Sequence, residues 1–228
     1  AVYRQAVLRE AFEGRLTKEW RNNNRKANEW KAVSIKSLIE KDKNALKAGP
    51  FGSSLKKECY VKSGYKIYGQ EQVIAGNERI GDYYIDESKY QELITCKIKS
   101  GDVLISLVGT VGKVLVLSDK CEEGIINPRL IKISLNKREM LPTFFKYYFE
   151  SGYLRSLYKE KAHGATMDVL NMGMIKELPF VWCPIDEQNQ VVEEIESRLS
   201  ECDSVEQTVD TTLLQLQSMR QSVLKEAF

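Results

Sequence analysis

The sequence contains a single histidine, His163, and its five cysteines, at positions 59, 96, 121, 183 and 202, form no CxxC pair. That scarcity argues against a zinc site and against a disulfide framework, and it fits thiols kept reduced in a cytoplasmic protein. No apolar run reaches 18 residues and no signal-peptide pattern is present, so no membrane partner is expected. The chain begins with Ala1 rather than Met, as a cropped segment would. Catalytic signatures are missing as well. There is no glycine-rich dinucleotide fingerprint and no Asn-Pro-Pro-aromatic element of an amino-methyltransferase. Gly109-Thr110-Val111-Gly112-Lys113 lacks both the four-residue gap between glycines and the Ser/Thr after lysine that a phosphate loop needs. Glu87-Ser88-Lys89 has the carboxylate-x-lysine form of metal-dependent nucleases, but without a preceding Pro-Asp partner it reads as a solvated loop. His163 has no Cys or Ser partner in a nucleophile setting. The expectation is a chain that catalyses nothing and holds neither cofactor nor metal.

The 228 residues, 43% hydrophobic and 29% charged, are enough to bury one sizeable core. The net charge of +2 conceals a segregation: Arg15 to Lys66 carries 14 Lys/Arg against 5 Asp/Glu, whereas Asp186 to Ser218 carries 9 Asp/Glu against one Arg. Either this is a polar N-terminal region plus a solvated helix face, or the globular part faces a polyanion while the acidic stretch meets protein.

The end of the chain repeats its beginning. Arg4-Gln5-Ala6-Val7-Leu8-Arg9-Glu10-Ala11-Phe12 returns as Arg220-Gln221-Ser222-Val223-Leu224-Lys225-Glu226-Ala227-Phe228, identical at seven of nine positions and offset by 216 residues. The chain therefore reads as one full period of a longer two-fold repeat. From Glu187 to Phe228 there is neither Gly nor Pro. Ile195, Cys202, Val209, Leu216 and Val223 fall seven apart, and Val192, Leu199 and Leu213 lie on the adjoining heptad column, which Glu206 and Arg220 interrupt. The spacing predicts a helix of roughly 60 Å with a two-helix seam, capped by Asp186 after Pro184.

Between these ends the expected order is helix, linker and sheet. Residues 1–16 read as the end of a helix, with Val7, Leu8, Ala11 and Phe12 on one face and Gly14 as its stop. Thr17 to Asn28 reads as a linker, and Gly49 to Ser54 as a loop whose glycines allow close backbone approach. Strands are expected at 65–68, 103–108, 114–117 and 130–135, in a compact mixed or antiparallel sheet. Leu141 to Lys161 reads as one or two helices interrupted near Gly152, with its aromatics in the core. The resulting fold class is α+β: 1–16 the end of one spacer helix, 17–184 a globular domain with a small sheet, and 185–228 a long coiled-coil helix.

Taken together, these elements resemble the DNA-specificity subunit of Type I restriction-modification systems. The resemblance rests on the repeated nonapeptide with its continuation Glu13-Gly14-Arg15-Leu16, on Gly49-Pro50-Phe51-Gly52-Ser53, on Gly101-Asp102-Val103-Leu104-Ile105-Ser106 with Gly109 to Gly112, and on Pro184 followed by Glu187-Gln188. It covers essentially the whole chain. It departs at Asn127-Pro128-Arg129, where the family would have Asn-Gln, and at the variable loop His163 to Asp168. The resemblance implies a non-catalytic subunit in which each recognition domain reads one half of a split site in double-stranded DNA. Long helices separate the domains and receive the modification (methyltransferase) subunits and, through them, the restriction subunits. This chain would be one half of such a subunit, pairing as a homodimer through Ile195, Leu199, Val209, Leu213, Leu216 and Val223. Candidate DNA contacts are Lys56, Lys57, Tyr68, Gln70, Thr110, Lys113, Arg129, His163 and Thr166, with Lys and Arg drawn to phosphate and Gln, Thr, His and Arg able to read base edges. Each, taken singly, reads equally well as an ordinary exposed polar residue. The rival reading is a coiled-coil assembly module whose globular part binds protein.

Overall fold

The computed structural model describes residues 2–25, 29–108, 111–154 and 170–227, excluding the side chains of 222 and 224–227. Its organising element is a four-stranded antiparallel sheet ordered β2 (Leu46–Ala48), β8 (Leu130–Ile133), β5 (Val103–Ser106), β6 (Val114–Val116). Strand side chains alternate between faces, and here both faces are covered. Val103, Ile105, Ile131 and Ile133 enter one core, and Leu104, Leu115 and Leu130 enter another. That double burial explains why the central strands read as unbroken apolar runs. A three-stranded sheet, β4 (Tyr84–Ile85), β3 (Tyr65–Tyr68), β7 (Gly124–Ile126), closes the second core, with β3 parallel to β7. The remaining pair joins β1 (Lys31–Val33) to β9 (Phe180–Trp182).

The four expected strands are present, three of them shortened at their C-terminal ends. β1, β2, β4 and β7 escaped the sequence reading because they are two or three residues long and lack clear alternation. β7 even opens on a glycine, and a Cβ there would collide with the Lys66 carbonyl. β9 pairs on one side only, as an edge strand preceded by Pro179 should.

On the first core lie α1 (Val2–Phe12), α6 (Pro142–Glu150) and the long helix Ile185–Ala227. Pro142 opens α6 at a position where no helical N–H is needed, and Phe144, Phe145, Tyr148 and Phe149 form its buried stripe. Phe12 of α1 meets Phe144 and Tyr148 edge-on at 5.3 and 5.1 Å. Gly14, at φ +71, ends α1, and Arg15 N–H returns to the Glu10 carbonyl at 3.0 Å.

Four expectations change. The segment expected as a linker contains a helix, α2 (Lys18–Asn23), because Thr17 and Arg21 are tied by buried bonds to Glu187. Glu87-Ser88-Lys89 opens helix α5 (Glu87–Glu92), capped by Asp86, whose carboxylate accepts from Lys89 N–H at 2.8 Å. The long helix starts at Ile185, one residue before the expected cap, so Asp186 lies in its first turn. Ile195 is fully buried, and Leu199 packs on the same core, so the first part of the apolar seam is used within the chain. The ion pairs Arg4–Asp203 and Glu10–Arg198 show that α1 runs antiparallel along that part of the helix. Beyond it Val209, Leu213, Leu216 and Val223 are at least half exposed. Among the described residues no helix is long and apolar enough to cross a membrane, and no group of three or more His, Cys, Asp and Glu could hold a metal.

Candidate nucleic-acid interface

One end of the four-stranded sheet gathers turns from distant parts of the chain. The Asn127-Pro128-Arg129 turn is fixed from three sides: Asn127 N–H donates to the Tyr68 carbonyl at 2.9 Å, its side chain accepts from Arg129 N–H at 2.9 Å, and Leu107 N–H donates to the Arg129 carbonyl at 3.0 Å. Gly49 packs against this turn so closely that a Cβ would collide with the Asn127 carbonyl, while its N–H donates to the Leu130 carbonyl at 3.0 Å. The glycine loop and the Asn-Pro-Arg turn are therefore one assembly, although 78 residues separate Gly49 from Asn127.

Gln70 and Arg129 are brought together. The Gln70 amide donates to Ser106 Oγ at 2.9 Å and to the Val108 carbonyl, and its oxygen accepts from the Arg129 guanidinium at 3.5 Å. Both donors of that amide are thus engaged by protein. The exposed group is Arg129, whose fork can bind a guanine edge or a phosphate. Lys113 is half-buried beside them in the β5–β6 connection, and its carbonyl accepts from Ser106 N–H at 3.0 Å. Lys56 and Lys57 are exposed on the continuation of the glycine loop.

Tyr68 is a correction. Its side chain is fully buried, its hydroxyl donates to the Glu122 carbonyl at 2.8 Å, and burial above all pushes its pKa up. A strand residue whose ring faces the second core cannot reach a groove. Two cations of the basic stretch are likewise withdrawn: Arg21 pairs with Glu187, and buried Lys66 pairs with Glu122 at 2.6 Å. Thr110, His163 and Thr166 lie outside the described residues. Ser106, which is buried, and Asn127, which is half-buried, stand in the sequence only as motif positions, yet they build the site. Phe51 stands in the sequence only as part of a motif, yet that residue is 88% exposed.

A globular α+β domain mounted on a long helix, with a basic cluster of turns at one sheet end, defines the class. The chain belongs to the family of Type I restriction modification DNA specificity domains, whose family model matches residues 27–214. It is 26% identical over 235 residues to the Type I restriction enzyme EcoKI specificity subunit of Escherichia coli (strain K12), covering 99% of this chain and 48% of that protein. It is 26% identical over 239 residues to the StySPI specificity subunit of Salmonella potsdam, again covering 99% of this chain and 48% of the relative. The chain spans about half the length of these curated relatives. Among solved structures, a chain from a study of the assembly and conformational transition of the type I R-M system superposes with a TM-score of 0.67 at 15% identity, covering 100% of this chain and 57% of that one. The S subunit of a Type I system from M. genitalium gives 0.55 at 13% identity, covering 91% and 49%. These structures share the fold.

Proposed function

We propose that this chain recognises one half of a bipartite DNA target within a Type I restriction-modification complex. On this reading residues 17–184 form the recognition domain, and 1–16 and 185–228 are spacer elements that meet modification subunits and, through them, restriction subunits. The chain works in the cytoplasm as a specificity subunit and catalyses nothing. The observation that carries the reading is the Gln70–Arg129 pair: an exposed guanidinium 3.5 Å from the oxygen of a fixed amide, beside a glycine loop followed by two lysines. Gln70 positions, Arg129 reads, and Lys56, Lys57 and Lys113 draw the phosphate backbone. The exposed seam from Val209 to Val223 supports pairing with a second copy or with the equivalent helix of a longer subunit.

The rival, a coiled-coil module whose globular part binds only protein, is not favoured by the relatives, which are named as restriction-enzyme specificity subunits. Duplex binding by the complex of this chain with its modification subunits separates the two. The logarithm of affinity should fall linearly with the logarithm of salt, with a slope of about −0.9 per neutralised phosphate. Binding indifferent to salt, or no binding, would leave the rival standing.

A further inference from the structure

Phe51 has the most exposed side chain among the large apolar residues of the described chain, at 88%, yet it stands on a fixed base. Gly49 is bonded to Leu130 and wedged against the Asn127 carbonyl. Pro50 restricts the backbone before the ring, and after it Ser54 N–H closes on the Phe51 carbonyl at 2.8 Å. Leu55 then anchors the loop in the second core. The ring is therefore presented to solvent by rigid backbone. Gly52 adds a second, independent observation. Among the described residues a Cβ there would meet nothing within 4 Å, and its φ is not in the left-handed region, so nothing in the described chain requires a glycine. Open backbone beside an exposed ring leaves room for an approaching ligand.

The charges carried by the same loop and by the turn it packs on narrow the ligand. Gly49 packs on the turn that carries Arg129, and Lys56 and Lys57 follow on the loop. An exposed apolar ring on the same loop assembly as exposed cations matches a polyanion that also offers flat apolar faces, as the bases and phosphates of a nucleic acid do. We propose that Phe51 is a wedge that inserts against a base step of the recognised half-site in double-stranded DNA, stacking on one base while Arg129 and the two lysines hold the backbone and edge. This rests on the target-recognition reading above.

The test uses the intact complex with its modification subunits and the duplex it selects, with 2-aminopurine substituted at successive positions across each half-site. Wild type should brighten the probe at one step per half-site. Phe51→Ala should abolish the signal and weaken binding about 10- to 100-fold, while leaving the salt slope unchanged because no phosphate contact is lost. Phe51→Trp should retain both signal and affinity. A Phe51→Ala complex with wild-type signal and affinity overturns the wedge, as does failure of that variant to assemble with modification subunits, which would assign the ring to a protein interface. A wild-type complex that selects no duplex overturns the recognition reading and the wedge with it; specific binding with an indifferent Phe51 overturns the wedge alone.

Discussion

Arg21 and Glu187, 166 residues apart, form an ion pair in which both side chains are more than 90% buried. Glu187 Oε1 also accepts from Thr17 Oγ1 and from the Trp30 indole, each at 2.7 Å, while Arg21 reaches the Gly14 carbonyl. One carboxylate thus ties the end of α1, helix α2 and the approach to β1 to the first turn of the long helix. The next residue, Gln188, extends the joint: its oxygen accepts from Leu141 N–H at 2.9 Å, and its amide donates to the Glu139 and Cys183 carbonyls. The angle at which the helix leaves the domain is set here.

Glu187→Ala should cost about 3–5 kcal/mol, because it leaves Arg21 buried without its partner. Urea unfolding of both proteins measures this. Glu187→Ala combined with Arg21→Met should recover part of the loss, and a single variant within 1 kcal/mol of wild type would show that the joint does not hold the ends together.

Positions of one heptad pattern should behave differently along the long helix. Ile195→Ala empties a site in the first core and should destabilise the chain by about 2–5 kcal/mol. Leu213→Glu with Leu216→Glu should leave the unfolding midpoint nearly unchanged while abolishing concentration-dependent self-association in sedimentation velocity. Self-association that survives the double substitution would place the contact elsewhere.

Asp102 gives a pH signature. Burial holds its carboxyl above the ordinary value of 3.8, against the opposing pull of the Ser134 hydroxyl, which donates at 2.6 Å, and of Lys132. Its folded form therefore binds a proton more readily than its unfolded form, so its contribution to stability rises as pH falls through the raised value and declines as pH rises. The stability of wild type relative to Asp102→Asn should increase as pH is lowered through the raised value toward the ordinary 3.8, read from denaturant midpoints at each pH. A flat or opposite trend would contradict the assignment.

At the sheet end, Lys57→Ala should weaken all duplexes alike and lower the salt slope by about 1. Arg129→Ala should cost about 1–3 kcal/mol on the preferred sequence and relax preference at one base pair. Gln70→Ala should shift preference at that same position, since its amide orients Arg129. Equilibrium titration against matched and singly mismatched duplexes distinguishes the three.

Much of this fold was legible in residue pattern. The α1 stop at Gly14, the buried stripe of α6 and the runs of β5 and β8 follow from periodicity and from turn residues. What was hidden depends on long-range pairing. Thr17 to Asn28 is polar and reads as a linker because a buried Arg21 makes sense only when Glu187 faces it. Ile195 has the spacing of an exposed seam, and only the docking of α1 and α6 covers it. Tyr68 lies at a strand end as a contact residue would, but parallel pairing of β3 with β7 turns its ring into the second core. Gln70 and Arg129 were each named, yet their meeting follows from the closure of β5 on β8, which no local signal encodes.

Selection from a randomised duplex pool by the chain assembled with its modification subunits tests the central claim most directly. The long helix covers 43 residues, about 65 Å at 1.5 Å per residue, so two domains placed by such spacers should read sites separated along the duplex. The account predicts an enriched motif in two blocks with a gap of fixed length, in which Arg129→Ala changes preference within a block and leaves the gap unchanged. Recovery of no motif, or of one contiguous block, would contradict it.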